Sequence, residues 1–211
     1  GALVIGASTT IAEYLLPALL GDFKTQYPDV TVHLKVSNTE GIVHMVENND
    51  IDLGVVEAPV SNKNLVVETC RMDQLVVIMP LAHPLANESV IEVGKILDYP
   101  FICREEGSGT REVINEHLSE VTAGKHELKI CMELGSPAAI KGAVEAGMGI
   151  SIISRATILK ELQLNSLVAI PLVTALERPF SFVHQKQKFR HRVMDELLEC
   201  ARNYCKDHQS I

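Results

Sequence analysis

The chain has 211 residues, 46% of them hydrophobic and 22% charged, enough for one large domain or two small lobes whose core needs no staples. Its 27 acidic and 19 basic residues leave a formal charge of −8, the wrong sign for a fragment that itself grips nucleic acid. No apolar run approaches the length of a bilayer span, so membrane partners are not expected. Five cysteines, Cys70, Cys103, Cys131, Cys200 and Cys205, are scattered without CxxC spacing. They read as free thiols in a reducing, cytoplasmic compartment, and neither a metal site nor a cofactor is expected.

The first residues, Gly1-Ala2-Leu3-Val4-Ile5-Gly6, already read as a strand, with no initiator Met and no basic leader. An excised domain is the expectation, with more chain upstream. Ile11, Tyr14, Leu15, Ala18, Leu19 and Phe23 then recur at helical spacing, and Pro17 should kink that helix or mark a first turn. Val30–Val36 alternates apolar and polar residues, which predicts a half-buried strand. Asn38 and Thr39 stand at N-cap positions ahead of Ile42, Val43 and Val46. A turn at Asn48-Asn49-Asp50 leads to a buried strand over Leu53–Val56. This is β-α-β-α-β, the pattern of a parallel sheet covered by helices.

A second block repeats the logic. It has a strand over Leu75–Met79, a short helix over Val90–Leu97, and a strand over Phe101–Cys103. Arg104-Glu105-Glu106-Gly107-Ser108-Gly109-Thr110-Arg111 then opens a helix to about Leu118. Lys129–Leu134 reads as a strand, Ser136-Pro137 as an N-cap with Pro at the first helical position, and Ala138–Glu145 as a helix. Strands follow over Ile150–Ile153, Leu167–Ile170 and Ser181–Val183, and Arg190–Lys206 reads as a terminal amphipathic helix. Met132 and Met148 read as core filling. Lobe I is expected over residues 1–77 with 182–211, and lobe II over 78–181.

Three strand-to-helix loops carry small hydroxyl and amide residues: Ser8-Thr9-Thr10, Asn38-Thr39 and Ser108-Gly109-Thr110. Helix N-termini at the carboxyl ends of strands present free N–H groups and a positive dipole end to an anion. Gly107 and Gly109 would let the backbone approach a ligand. Any one of these loops taken alone reads as a plain N-cap, a reading that three of them at strand ends together weaken. The glycine loop lacks a Walker lysine and does not match G-x-G-x-x-G, and no G-x-S-x-G elbow is present. Cys103 reads as a buried thiol, and Glu105 and Glu106 as carboxylates serving a helix dipole. No catalytic constellation emerges, so no enzyme is expected.

The order and spacing of Leu3-Val4-Ile5-Gly6-Ala7-Ser8, Leu15-Leu16-Pro17, Tyr27-Pro28, Ile51-Asp52-Leu53-Gly54, His83-Pro84-Leu85-Ala86 and Val144-Glu145-Ala146-Gly147-Met148-Gly149 resemble the effector-binding domain of LysR-type transcriptional regulators across the whole chain. The 104–111 segment further resembles the branch that regulates Calvin-cycle and sulfur-assimilation genes, and a similar Ser-Gly-Thr turn recurs in periplasmic phosphate-binding proteins. The resemblance implies an α/β, periplasmic-binding-protein-like (type 2) fold of two Rossmann-like lobes joined by two crossover segments. It implies a small anionic effector in the cleft, touching Ser8, Thr9, Thr10, Asn38, Thr39, Gly107, Ser108, Gly109, Thr110 and Ser136. Glu57 would point into the same cleft and disfavour a highly charged anion. Homodimers are implied, tetramers at full length, and promoter DNA bound only through an N-terminal winged helix-turn-helix absent from this sequence. A solute-binding protein of a transport system and a dehydratase-type enzyme share the fold and stand as the alternatives.

Overall fold

The computed structural model describes residues 1–186 and 192–208. They form two compact units, Gly1–Met72 with Pro179–Ile211, and Asp73–Arg178. Unit 1 begins with β1 (Ala2–Ser8), α1 (Thr9–Tyr14), α2 (Leu16–Gln26), β2 (Thr31–Ser37), α3 (Thr39–Glu47) and β3 (Leu53–Val56). Two long strands, β4 (Leu65–Met79) and β9 (Leu176–Gln185), run through the divisions between units, and α8 (Arg192–Asp207) ends the chain's described part. β1 is central: it pairs in parallel with β2, Ser8 opposite Ser37, and with β3, Ile5 opposite Leu53. β9 joins antiparallel at β3, with Val55 opposite Phe182.

The alternation of β1 sorts its side chains between two cores. Leu3, Ile5 and Ala7 face Phe23, Phe180, Phe182, Leu197 and Leu198, while Ile42, Val46, Ile51 and Val183 pack on the other side. α8 places Met194, Leu197, Leu198, Ala201 and Cys205 in the first of these cores. Arg190, where the sequence put the start of this helix, lies outside the described residues.

In unit 1 Pro17 marks a first turn, one of the two roles expected of it, and two other expectations are corrected. The helix carrying Pro17 is two helices, broken at Leu15, with Pro17 in the first turn of α2, because proline supplies no N–H and crowds the preceding turn. β2 is mostly exposed, not half-buried: it is the sheet edge, and Leu34 and Val36 are 39% and 52% exposed. The five cysteines are not all free. Cys70 on β4 is bonded to Cys205 on α8, with Cα atoms 5.7 Å apart and a sequence separation of 135.

Unit 2 comprises the second half of β4, α4 (Val93–Ile96), β5 (Pro100–Cys103), α5 (Gly109–Thr122), β6 (Lys129–Glu133), α6 (Pro137–Glu145), β7 (Ser151–Ser154), a 3₁₀ turn at Arg155–Thr157, α7 (Leu159–Leu164), β8 (Val168–Ile170) and the start of β9. β5 and β6 are parallel, with Cys103 opposite Glu133, whereas β7 and β8 run antiparallel to β4. Leu75, Val77, Met79, Phe101 and Ile114 fill one side, and Val76, Ile78, Ile102, Ile140 and Val144 the other. The helix expected over Val90–Leu97 is only the single turn α4, and α7 went unread. Met132 packs against the core, but Met148 is 51% exposed and fills none of it.

Candidate functional site

In unit 1 the parallel register of β1, β2 and β3 brings their carboxyl ends to one edge. Ser8, Thr9, Asn38, Thr39 and Glu57 all follow those ends. Ser8 and Glu57 are both buried, and the Ser8 hydroxyl donates to Glu57 Oε2 at 2.7 Å. Ser8 occupies the N-cap of α1 without a side-chain capping bond, since its proton goes to the carboxylate. Asn38 is a working N-cap: its Oδ1 accepts from Gly41 N at 2.9 Å. The Thr9 hydroxyl reaches the Ser37 carbonyl at 3.5 Å, and Thr10 is buried beside it. Thr39 starts α3, and its buried Oγ1 has no hydrogen-bond partner. A buried hydroxyl left so is costly unless a ligand or water completes it.

Unit 2 repeats the arrangement on β5 and β6. Ser108 caps α5, accepting from Arg111 N at 3.3 Å, and Ser136 caps α6, accepting from Ala139 N at 3.2 Å. Each serine oxygen is thus held by a backbone N–H, and its O–H remains a donor. Gly107 turns the chain into α5 with φ of 88°, a conformation that side-chain-bearing residues rarely adopt. Gly109 and Thr110 form the first turn and are buried. Thr110 Oγ1 accepts from Arg178 Nη1 at 2.5 Å. Arg178 Nε in turn donates to Asp73 Oδ2 at 3.2 Å, and Ser154 donates to Asp73 Oδ1 at 2.8 Å. Arg104, 3% exposed, pairs with Glu105 at 2.8 Å.

The loops expected from sequence therefore fall into two groups, one at the strand ends of each unit. Sequence reasoning missed Arg178 and Asp73. The only local signal was the Glu177-Arg178-Pro179 triplet, which reads as surface. A cavity of about 460 Å³ lies elsewhere in unit 1, lined by Asp22, Glu196, Glu199 and Asp207 among others, and its carboxylates do not suit an anion. Burial pushes the Cys103 thiol up, away from the thiolate a nucleophile needs. His83 sits in a turn, its Nδ1 accepting from Leu85 N at 3.1 Å, and burial lowers its pKa. Among the described residues no group of His, Cys, Asp and Glu could hold a metal ion, and no helix is long and apolar enough to cross a membrane.

Comparison with known proteins places this α/β chain. The LysR substrate binding domain family matches residues 1–206, and the chain belongs to that family. It is 37% identical over 196 residues to a "Probable RuBisCO transcriptional regulator" of Synechocystis sp., covering 91% of this chain and 57% of that protein. Against the "Uncharacterized HTH-type transcriptional regulator YeiE" of Escherichia coli K12 it is 35% identical, covering 97% of this chain and 68% of that one. The chain thus spans little more than half the length of the first of these relatives. Among solved structures, the Synechocystis PCC6803 CcmR regulatory domain in complex with 2-PG superposes with a TM-score of 0.91 at 32% identity, covering all of both chains. The effector-binding domain of QuiR in complex with shikimate, at 22% identity and a TM-score of 0.87, shares the fold. That fold is the type 2 periplasmic-binding-protein-like fold. The chain is therefore a LysR substrate binding domain, and the relatives it matches are named as transcriptional regulators. The solute-binding and dehydratase alternatives find no support among relatives named as transcriptional regulators.

Proposed function

We propose that this domain senses a small oxyanion, and that the loops at the strand ends hold it. In unit 2 these are Gly107, Ser108, Gly109, Thr110 and Ser136; in unit 1, taken by itself, Ser8, Thr9, Thr10, Asn38 and Thr39 stand at the corresponding strand ends, where the Glu57 carboxylate disfavours a highly charged anion. The observation that carries the reading is the set of hydroxyls at the starts of α5 and α6. Ser108 and Ser136 accept backbone N–H bonds and Thr110 accepts from Arg178, so all three O–H groups are left to donate. Donors at helix N-termini suit a ligand oxygen that only accepts. The 2-PG complex of the CcmR domain makes 2-phosphoglycolate the first compound to try. In the whole protein, occupancy would alter promoter binding by a DNA-binding part outside this sequence, in a cytoplasmic dimer or tetramer.

Calorimetric titration with 2-PG tests the reading directly. At 100 times its Kd a ligand adds about 2.7 kcal/mol of stability, which a thermal-shift assay also registers. Thr9→Ala and Thr110→Ala are the informative variants. Losing one hydroxyl bond to a charged oxygen costs about 1.5–3 kcal/mol, roughly 10- to 150-fold in Kd. If both variants bind like the parent, these loops are caps and the effector sits elsewhere.

A further inference from the structure

Arg178 is 1% exposed and ranks among the largest fully buried side chains of the protein. It is the last residue of unit 2, on β9, and Asp73 is the first, on β4. Their ion pair, with side chains 0% and 5% exposed, therefore joins the two strands through which unit 2 continues into unit 1. Stability alone is a poor reason for such a pair, because well-packed apolar residues often serve as well or better. Its other contacts supply a different reason. Arg178 Nη1 donates to Thr110 Oγ1 at 2.5 Å, in the first turn of a 14-residue helix, and Ser154 fixes the second oxygen of Asp73. A cationic N–H on the threonine oxygen polarises the hydroxyl and turns its proton away from Arg178.

We propose that Arg178 is the positioning residue of the loop at the start of α5: it holds the Thr110 hydroxyl as a donor toward an acceptor-only oxyanion and, through Asp73, ties that loop to β4 and β9. The proposal rests on the reading that this loop binds the effector. Arg178 touches Thr110 and acts through it, so the two residues form one unit in binding.

The experiment is calorimetric titration of the chain with 2-PG at pH 8, where the phosphate ester has lost its second proton. Arg178→Met alone would strand the buried Asp73 carboxylate, so the variant used is Asp73→Asn/Arg178→Met, which removes both charges together. Thr110→Val and Asp73→Asn/Arg178→Met are each expected to weaken binding about 10- to 150-fold. The triple variant should bind no more weakly than Thr110→Val, because Arg178 has nothing left to position. Losses that multiply in the triple variant overturn the proposal, as does parent-like binding by Asp73→Asn/Arg178→Met. A parent chain that ignores 2-PG counts against the effector reading for that compound, and the role of Arg178 is then decided without ligand. Amide exchange in Asp73→Asn/Arg178→Met should speed up together at residues 110–113, 73–76 and 176–178. Unchanged protection at 110–113 overturns the tie between loop and strands.

Discussion

Ser8 and Thr110 are both buried hydroxyls at the start of a helix, yet they are wired oppositely. Ser8 gives its proton to Glu57, whereas Thr110 receives one from Arg178 and keeps its own to give. The first pair presents acceptors to whatever approaches, and the second presents a donor. Ser8→Ala would take from a buried carboxylate one of its donors, which costs about 1–3 kcal/mol. Urea denaturation should show that loss, and a parent-like midpoint would mean that other partners hold Glu57 unaided. A different constraint acts at Gly149, where an added Cβ would lie 2.7 Å from the Pro100 carbonyl oxygen. That oxygen accepts from Ile150 N at 3.0 Å, so the backbone cannot simply retreat. Gly149→Ala is expected to lower stability by about 1–3 kcal/mol, the usual cost of overpacking. His83 adds a pH effect with a definite sign. Burial depresses its folded pKa below the ordinary 6.5, so the unfolded chain binds more protons. Its contribution to stability is complete above pH 6.5 and is lost as pH falls from there through the lower folded value.

Elements show why some of this structure was legible and some was not. β3 was readable because Leu53–Val56 is apolar throughout and buried throughout. The caps of α3, α5 and α6 were readable because Asn38, Ser108 and Ser136 bond to N–H groups three residues onward. The first half of β4 was not, since Glu68, Thr69, Arg71 and Asp73 make it look like a loop. Arg71 and Asp73 are in fact buried, Arg71 lying over the Phe180 ring and donating to the His208 carbonyl at 3.0 Å. Arg178 could not be found for the same reason, because its partner Asp73 is 105 residues away. Nor could the Cys70–Cys205 bond, which joins β4 to α8 beside the Glu68–Arg202 ion pair. Thiol titration of the unreduced, unfolded chain should count three thiols, and five after reduction. In the native chain the exposed Cys131 should react first, since burial pushes up the thiols of Cys103 and Cys200. Cys70→Ser/Cys205→Ser should cost about 2–5 kcal/mol by denaturation, the range for losing a native cross-link. Five reactive thiols without reductant would show that the bond does not form.

At the scale of the whole molecule, charge separates sensing from DNA binding. Duplex affinity comes largely from Lys and Arg contacts to phosphates, each releasing counterions, so it falls steeply with salt. This chain carries eight more acidic than basic residues, and many of its cations are already engaged. Arg111 faces Glu133, Lys141 faces Glu161, Arg178 faces Asp73, Arg192 faces Glu196 and Arg202 faces Glu68. To grip a duplex those pairs would have to open while the remaining carboxylates repelled the backbone. An oxyanion at the start of α5 meets no such barrier, because N–H and O–H dipoles serve it without a free cation. The isolated chain is therefore expected to leave the fluorescence anisotropy of a labelled duplex unchanged at 50 mM salt, with or without 2-PG. An anisotropy rise that collapses between 50 and 200 mM salt would mean that this domain contacts phosphates itself. The division between a sensing chain and a separate DNA-binding part would then have to be given up.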